Sequence, residues 1–157
     1  MRWIAGILAL AALWSPATAG GHTTGWFFKR TEDHTQPICD SRFSFLENHR
    51  AFYVDHRSTA DDKVMYITFD AGYENGNITS ILDTLREKQV PASFFILQNL
   101  VYKNKDLLDR MVNEGHLICN HTAHHKNMAK VTKDVFAAEL AEMEKVYREG
   151  TGRELAK

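Results

Sequence analysis

The alternation of short apolar runs with amphipathic stretches is the feature that most restricts how this chain can fold. The chain contains three short apolar runs: Val64–Phe69, Ala92–Leu97 and His116–Cys119. Each run is followed by a stretch whose apolar residues have the spacing typical of a helix. Such short runs suit strands that are buried on both faces, although periodicity alone also permits a buried helix. Strands that alternate with helices over short links favour parallel pairing through right-handed crossovers. The sequence therefore predicts an α/β fold with a parallel sheet.

Three helices are predicted between and after these strands, over residues 77–89, 104–114 and 132–149. Asn77 is a suitable N-cap for the first helix, and Gly115 is a suitable stop for the second. Each helix has one apolar face: Ile78, Ile81, Leu82 and Leu85; Leu107, Leu108, Met111 and Val112; Phe136, Leu140, Met143 and Tyr147. These faces are expected to cover the sheet.

The first nineteen residues have the pattern of a secretory signal peptide. Arg2 precedes an apolar run from Trp3 to Trp14, and Ala17–Thr18–Ala19 is a cleavage site of the A-x-A type. The run is too short to span a membrane comfortably, although an uncleaved anchor is the alternative. Residues 1–19 are therefore predicted to be removed, which leaves an exported chain without a stable membrane span.

Residues 20–63 are predicted to form an N-terminal segment that wraps the domain and is held by its aromatic side chains. A short amphipathic helix is possible from Phe43 to Phe52, with Phe45, Leu46 and His49 on the same side as Phe52. The functional alternative is that Trp26 forms a platform on which a sugar ring stacks. The remaining residues, 64–157, contain the strand–helix units.

Charge and cysteine content restrict the partners and the covalent chemistry. A formal net charge of −1 gives no sign of nucleic-acid binding. Export would permit a disulfide between the two cysteines, Cys39 and Cys119. Cys119 lies within an apolar run, where a buried free thiol is the competing interpretation.

Asp70 follows the first predicted strand and precedes a turn that contains Gly72, Asn75 and Gly76. Carboxylates at the carboxyl ends of parallel strands are common catalytic groups in α/β enzymes. An aspartate at this position can also simply cap a turn. The choice between these interpretations depends on what lies near Asp70 in the folded chain.

His121 and His125 follow the third predicted strand, so they are expected at the same edge of the sheet as Asp70. If the segment is helical, two histidines four residues apart share one face and can reach one metal ion. Alternatively, the histidines belong to a solvated loop. Together with Asp70, they favour a metal site.

These motifs resemble those of the NodB-homology polysaccharide deacetylases, carbohydrate esterase family 4. The resemblance is carried by Thr68–Phe69–Asp70–Ala71–Gly72, by His121–Thr122–Ala123–His124–His125, and by the Phe94–Phe95 strand and the turn Glu114–Gly115–His116. Two further stretches resemble the branch that makes muramic δ-lactam in peptidoglycan: Trp26–Lys29 and Tyr73–Gly76. The resemblance implies that residues 64–157 form part of a distorted (β/α) barrel.

The resemblance also implies roles for individual residues. Asp70 matches the catalytic base that activates water for attack on an N-acetyl group, and His121 and His125 match the histidine ligands of a divalent metal. Imidazole ligands favour Zn²⁺ or Co²⁺ over Mg²⁺ or Ca²⁺. The family's third ligand is a second aspartate, and this sequence has Ala71 at that position, a loss that fits the lactam-forming branch. No substrate-binding residue is predicted.

The sequence lacks the later motifs of that family, so we expect only the N-terminal half of the barrel, with an unpaired sheet edge. The predicted activity is exported de-N-acetylation of N-acetylmuramic acid in peptidoglycan on the route to the lactam. The alternatives are deacetylation of N-acetylglucosamine in peptidoglycan or chitin-like polymers, and a truncated non-catalytic chain that binds glycan or metal. We expect little or no acetate release by this polypeptide alone.

Overall fold

The computed structural model describes residues 25, 27–32, 35–59 and 61–156. The predicted signal peptide and Trp26 lie outside these residues. Within them, five strands and four α-helices follow one another along the chain. A short antiparallel pair, β1 (Phe28–Lys29) and β2 (Ile38–Cys39), precedes the three strands that form the main sheet.

The main sheet contains three parallel strands in the order in which they occur along the chain. These strands are β3 (Thr68–Ala71), β4 (Ser93–Ile96) and β5 (Leu117–Asn120). The predicted α/β fold with a parallel sheet is therefore confirmed. Because the strands are parallel and in register, the residues that follow them emerge at one edge of the sheet.

Four α-helices accompany the sheet, and their bounds are α1 (Asn77–Lys88), α2 (Gln98–Lys103), α3 (Lys105–Asn113) and α4 (Lys133–Thr151). Three of them match predicted helices to within two residues at each end, but α2 was not predicted. Six residues are too few for helical periodicity to be recognised, and α2 is separated from α3 only by Asn104.

The hydrophobic core lies between the sheet and the helices. Phe69 and Phe94, from neighbouring strands, stack with ring centroids 5.0 Å apart. Side chains from all three long helices meet this layer, and the most deeply buried residues are Leu82, Phe94, Ile96, Leu100, Leu108, Met111 and Met143. Complete burial of such a side chain is worth about 1.5–3 kcal/mol, so these residues dominate the stability of the sheet and helices.

The first strand begins later than predicted, and the residues before it are exposed. Val64, Met65 and Tyr66 are 60%, 82% and 68% exposed, and the ladder begins only at Thr68. The prediction of a strand buried on both faces from Val64 onwards was wrong. β3 lies at one side of the described sheet, and β4, its partner, starts only at Ser93, opposite Thr68. The upstream apolar residues therefore lie beyond the paired region.

The N-terminal segment also departs from expectation in its packing. Residues Ser41–His49 form a 3-10 helix, and its buried side chain is Phe43. Phe45 and Phe52, which were predicted on the packed side, are more than half exposed. Tyr66 Oη donates to Asp55 Oδ2 at 3.0 Å, which joins this segment to the residues before β3. The assignment of residues 20–63 as a wrapping segment remains a prediction.

Helix α4 starts at a side-chain cap and returns the chain to the sheet. Thr132 Oγ1 accepts from the amide of Val135, as expected for an N-cap. Beyond the helix, the Ala156 amide donates to the carbonyl oxygen of Ile118 in β5 at 2.8 Å, and Leu155 is buried. Helix α4 is the longest of the four, and in the part of the chain described here no helix is long and apolar enough to cross a membrane.

Candidate functional site

Asp70 occupies the exposed carboxyl end of β3. Along the strand, side chains alternate between the two faces, so Ala71 is buried against the core whereas the Asp70 side chain is 69% exposed. In the sheet register Asp70 lies level with Phe95 and Cys119. Cys119 is a free thiol, as its place in an apolar run had suggested, and burial raises its pKa.

The turn after Asp70 is held by other residues. The carboxylate of Glu74 accepts from the amides of Gly76 and Ile78, so Glu74 caps the start of α1 where Asn77 had been expected to do so. Asn99 Nδ2 donates to the carbonyl oxygen of Gly72 at 3.2 Å. These contacts fix the turn without using the carboxylate of Asp70, which favours the catalytic interpretation over the turn cap.

His121 and His125 lie beside Asp70 at the same edge of the sheet. The distance between His121 Nε2 and Asp70 Oδ2 is 3.9 Å, and the two imidazole ring centroids are 5.0 Å apart. The structure thus brings together all three predicted site residues. The segment from His121 to His125 is a loop and not a helix, so the helical explanation of their proximity was wrong.

The loop reaches this geometry through an unusual backbone. Thr122 and His125 have φ angles of +71° and +55°, in the left-handed region that costs a residue with a side chain roughly 1–2 kcal/mol. Side chains satisfy its amides: Asn120 Oδ1 accepts from Thr122 N, and Thr122 Oγ1 accepts from His125 N. Asn120 Nδ2 in turn donates to the carbonyl oxygen of Leu140 on α4.

Glu139 on α4 contacts the same loop and was missed by the sequence analysis. Its carboxylate accepts from Lys126 Nζ at 2.7 Å and from the His124 amide at 2.8 Å, and it lies 3.0 Å from His124 Nδ1. Burial would raise its pKa, but the hydrogen bonds from Lys126 and His124 outweigh burial and lower it to about 2. A signal was available: Glu139 lies between Phe136 and Met143 on the predicted apolar face. Phe136, predicted inward, is instead 43% exposed.

The side chains at this edge supply two of the ligands that a metal ion would need, but not a complete set. The imidazoles of His121 and His125 lie close enough to act as a ligand pair, and neutral imidazole suits Zn²⁺ or Co²⁺. At the third ligand position the buried Ala71 offers no donor atom. Among the described residues, no group of three or more His, Cys, Asp or Glu side chains is placed to hold a metal. Two imidazoles thus fit the ion, and the remaining positions would belong to other groups.

A recess beside Asp70 could receive part of a ligand. It has a volume of about 320 Å³, and Gly72, Tyr73 and Asn75 contribute to its lining. The Tyr73 side chain is 74% exposed next to the fixed turn. An exposed ring and amide beside a carboxylate are groups that commonly contact sugars, through stacking and hydrogen bonds.

The fold and site together define a parallel α/β protein that keeps its polar groups at the carboxyl edge of the sheet. Comparison with known proteins identifies the family. The chain matches the Polysaccharide deacetylase family over residues 57–156 and belongs to it. The resemblance seen in the sequence is thereby confirmed.

Individual relatives agree with this assignment. The chain is 34% identical over 155 residues to peptidoglycan-N-acetylmuramic acid deacetylase PdaA of Bacillus subtilis, covering 94% of this chain and 58% of PdaA. It is 32% identical over 110 residues to a peptidoglycan-N-acetylglucosamine deacetylase of Bacillus cereus, covering 70% and 39% respectively. The solved PdaA structure, a family 4 carbohydrate esterase, superposes with a TM-score of 0.74 at 34% identity.

The superposition covers 83% of this chain and 55% of the PdaA structure. The predicted fold, part of the (β/α) barrel of family 4 carbohydrate esterases, is confirmed by this match. The chain spans little more than half the length of PdaA.

Proposed function

We propose that this chain carries the base and the histidine pair of a polysaccharide de-N-acetylase that acts on peptidoglycan. The observation that carries the proposal is the meeting of Asp70, His121 and His125 at one edge of the sheet. Membership of the polysaccharide deacetylase family and similarity to two peptidoglycan deacetylases support it. The reaction is hydrolysis of an amide bond between a sugar nitrogen and an acetyl group.

In this proposal Asp70 is the general base and the two imidazoles bind a divalent cation, Zn²⁺ or Co²⁺. The bound cation supplies Lewis-acid chemistry, because it polarises the amide carbonyl and increases the acidity of nearby water. Asp70 accepts the proton of the attacking water. The water oxygen bonds to the carbonyl carbon, the carbon–nitrogen bond breaks, and the proton held by Asp70 passes to the amine nitrogen. The acetic acid released ionises to acetate. The exposed carboxylate of Asp70 is accessible to such a water.

The proposed sugar is N-acetylmuramic acid, on the route to muramic δ-lactam. The match to PdaA extends over 94% of the chain, whereas the match to the N-acetylglucosamine deacetylase covers 70%. Ala71, which removes the second aspartate, is consistent with the lactam-forming branch. Deacetylation of N-acetylglucosamine is the alternative, supported by the second relative. The sequence pattern of residues 1–19 supports export of the chain.

The test uses this chain alone and a chimera in which it replaces the matching part of PdaA. Each protein is incubated with peptidoglycan glycan strands and Zn²⁺ or Co²⁺, and acetate release is measured. The chimera should release acetate and lose that activity with Asp70→Asn, while the chain alone should release little or none. Mass spectrometry of the digested glycan distinguishes deacetylated muramic acid from glucosamine. A folded chimera that releases no acetate would contradict the proposal.

Metal binding by the histidine pair is tested separately. Co²⁺ titration of the chain, followed by absorption spectroscopy, should show binding that His121→Ala and His125→Ala each abolish. His49→Ala provides a control for nonspecific imidazole binding, since His49 lies on the exposed 3-10 helix. Unchanged cobalt binding in both site variants would contradict the ligand assignment.

A further inference from the structure

Helix α4 carries a buried carboxylate that is directed at the histidine loop, and the proposed chemistry does not use it. Glu139 is 4% exposed, although its neighbours Ala138 and Ala137 along the helix are exposed. Acidic residues are seldom buried to this extent unless they are paired. Its partners, Lys126 and His124, both belong to the segment that contains His125.

The contacts between α4 and the loop are dense. The backbone carbonyl of Glu139 accepts from the Ala123 amide at 3.2 Å, and its carboxylate accepts from the His124 amide at 2.8 Å. The same carboxylate forms an ion pair with the Lys126 ammonium group at 2.7 Å. One residue of α4 therefore holds three loop positions that lie on both sides of His125.

The backbone of the loop explains why such restraint is needed. Thr122 and His125 adopt left-handed φ angles, which are unfavourable for residues with side chains. Strained backbone of this kind persists only when the surrounding structure over-determines it. Asn120 and Thr122 restrain the loop from within, and Glu139 supplies its side-chain contacts to α4 at His124 and Lys126.

We infer that Glu139 is a positioning residue, which holds the His121–His125 loop in the conformation that presents both imidazoles to one cation. The inference rests on the proposed function, because it takes these two histidines to be the metal ligands. Glu139 itself does not touch the ion or the substrate. It acts through the backbone of Ala123 and His124 and through Lys126.

The distinguishing variant is Glu139→Gln, which preserves size but removes the charge. Glutamine has one carbonyl oxygen and one amide nitrogen, so it cannot accept from the His124 amide and Lys126 in the way that a carboxylate with two oxygens does. Glu144→Gln is the matched control, because Glu144 is an exposed glutamate on the same helix. All proteins are compared at a temperature at which circular dichroism shows them to be folded.

Two measurements are made on each protein. The first is the Co²⁺ affinity of the folded chain, which should fall by about tenfold in Glu139→Gln and stay unchanged in Glu144→Gln; loss of a partner that orients a ligand typically weakens binding by about 10–100-fold. The second is amide hydrogen exchange without metal. The amides of residues 122–125 should exchange faster in Glu139→Gln, while those of α1 should not change.

A variant that melts at a lower temperature but keeps the wild-type cobalt affinity and loop exchange would overturn the inference, because Glu139 would then only stabilise the fold. If the wild-type chain binds no cobalt, the proposed metal site fails, and hydrogen exchange alone decides whether Glu139 restrains the loop.

Lys126→Ala is a second variant, suited to the case in which Glu139→Gln does not fold. Lys126 is half exposed, so Lys126→Ala leaves no cavity in the core, and the Glu139 carboxylate keeps His124 as a partner. Cobalt affinity should fall by a few-fold. Wild-type affinity in Lys126→Ala would count against the inference.

Discussion

The carboxylate of Asp70 lies 3.9 Å from Nε2 of His121, across the ends of two strands that are separated by β4. This distance is too long for a hydrogen bond, and the Asp70 side chain remains largely exposed. The carboxylate is therefore near the imidazole pair but not fixed by it. Its position suits a group that must exchange protons with water.

Replacing Asp70 should consequently lower the rate of acetate release and leave the stability of the fold nearly unchanged. Asp70→Asn is expected to change the free energy of unfolding by less than about 0.5 kcal/mol, as for other exposed positions. In the PdaA chimera it should lower the rate of acetate release by about 10²–10⁴-fold, the usual contribution of a general base. Urea unfolding and acetate release measure the two effects. An active Asp70→Asn chimera would rule out the base assignment.

Ala71 offers a test of the incomplete ligand set. Ala71→Asp places a carboxylate at a buried position, so the metal-free protein should lose about 1–3 kcal/mol of stability. Cobalt affinity should rise by about tenfold, equivalent to ~1.4 kcal/mol. Ala71→Asn is the control, since it adds similar bulk without the charge. Equal cobalt affinities for Ala71→Asp and wild type would show that position 71 does not face the ion.

The close approach of Gly72 to Leu97 predicts a steric coupling. A Cβ atom at position 72 would lie 2.6 Å from Leu97 Cδ1, which is too short for any real contact. Gly72→Ala should therefore destabilise the protein by about 1–3 kcal/mol. In a Leu97→Ala background the same change should cost less, because the clashing methyl group is gone. A double-mutant cycle by urea unfolding measures this coupling, and simple additivity would refute it.

His116 should make the stability depend on pH. It is buried immediately before β5, where its Nδ1 accepts from the Ala92 amide at 3.1 Å, and burial lowers its pKa below 6.5. The unfolded chain therefore binds a proton more readily than the folded chain does. Stability is complete above pH ~6.5 and falls as the pH is lowered towards the depressed pKa of the folded state.

Urea midpoints between pH 5 and 8 should show this loss in the wild type. His116→Gln, which retains an acceptor for the Ala92 amide, should have a flatter profile over the same range. His49→Gln, at an exposed position, should keep the wild-type slope. If all three proteins gave the same profile, the pH dependence would have to come from another group.

The sequence predicted the part of the fold that depends on periodicity. Apolar runs that alternate with amphipathic stretches were sufficient to predict that β3, β4 and β5 are parallel, because strands joined through helices over short links favour right-handed crossovers. The prediction that Val64–Tyr66 belong to a buried strand failed, since an apolar run does not reveal whether a partner strand extends alongside it. It also missed α2, which is too short to show a period.

The sequence predicted that three polar residues would lie at one edge of the sheet, but not the geometry of the loop that carries two of them. Asp70, His121 and His125 meet because parallel strands end at one edge, and this follows from topology. The left-handed backbone of Thr122 and His125 has no signature in residue spacing. Glu139 was not predicted, because residue spacing does not reveal that a carboxylate on an apolar helical face pairs with His124 and Lys126.

The hydrogen bond from Ala156 to Ile118 determines the register with which the chain rejoins the sheet. Because side chains alternate along an extended segment, this pairing directs Leu155 into the core, where it is 8% exposed. A slip by one residue would turn Leu155 towards solvent and bring either Glu154 or Ala156 inward. The register of this pairing is therefore coupled to the burial of Leu155, so a polar residue at position 155 would weaken both.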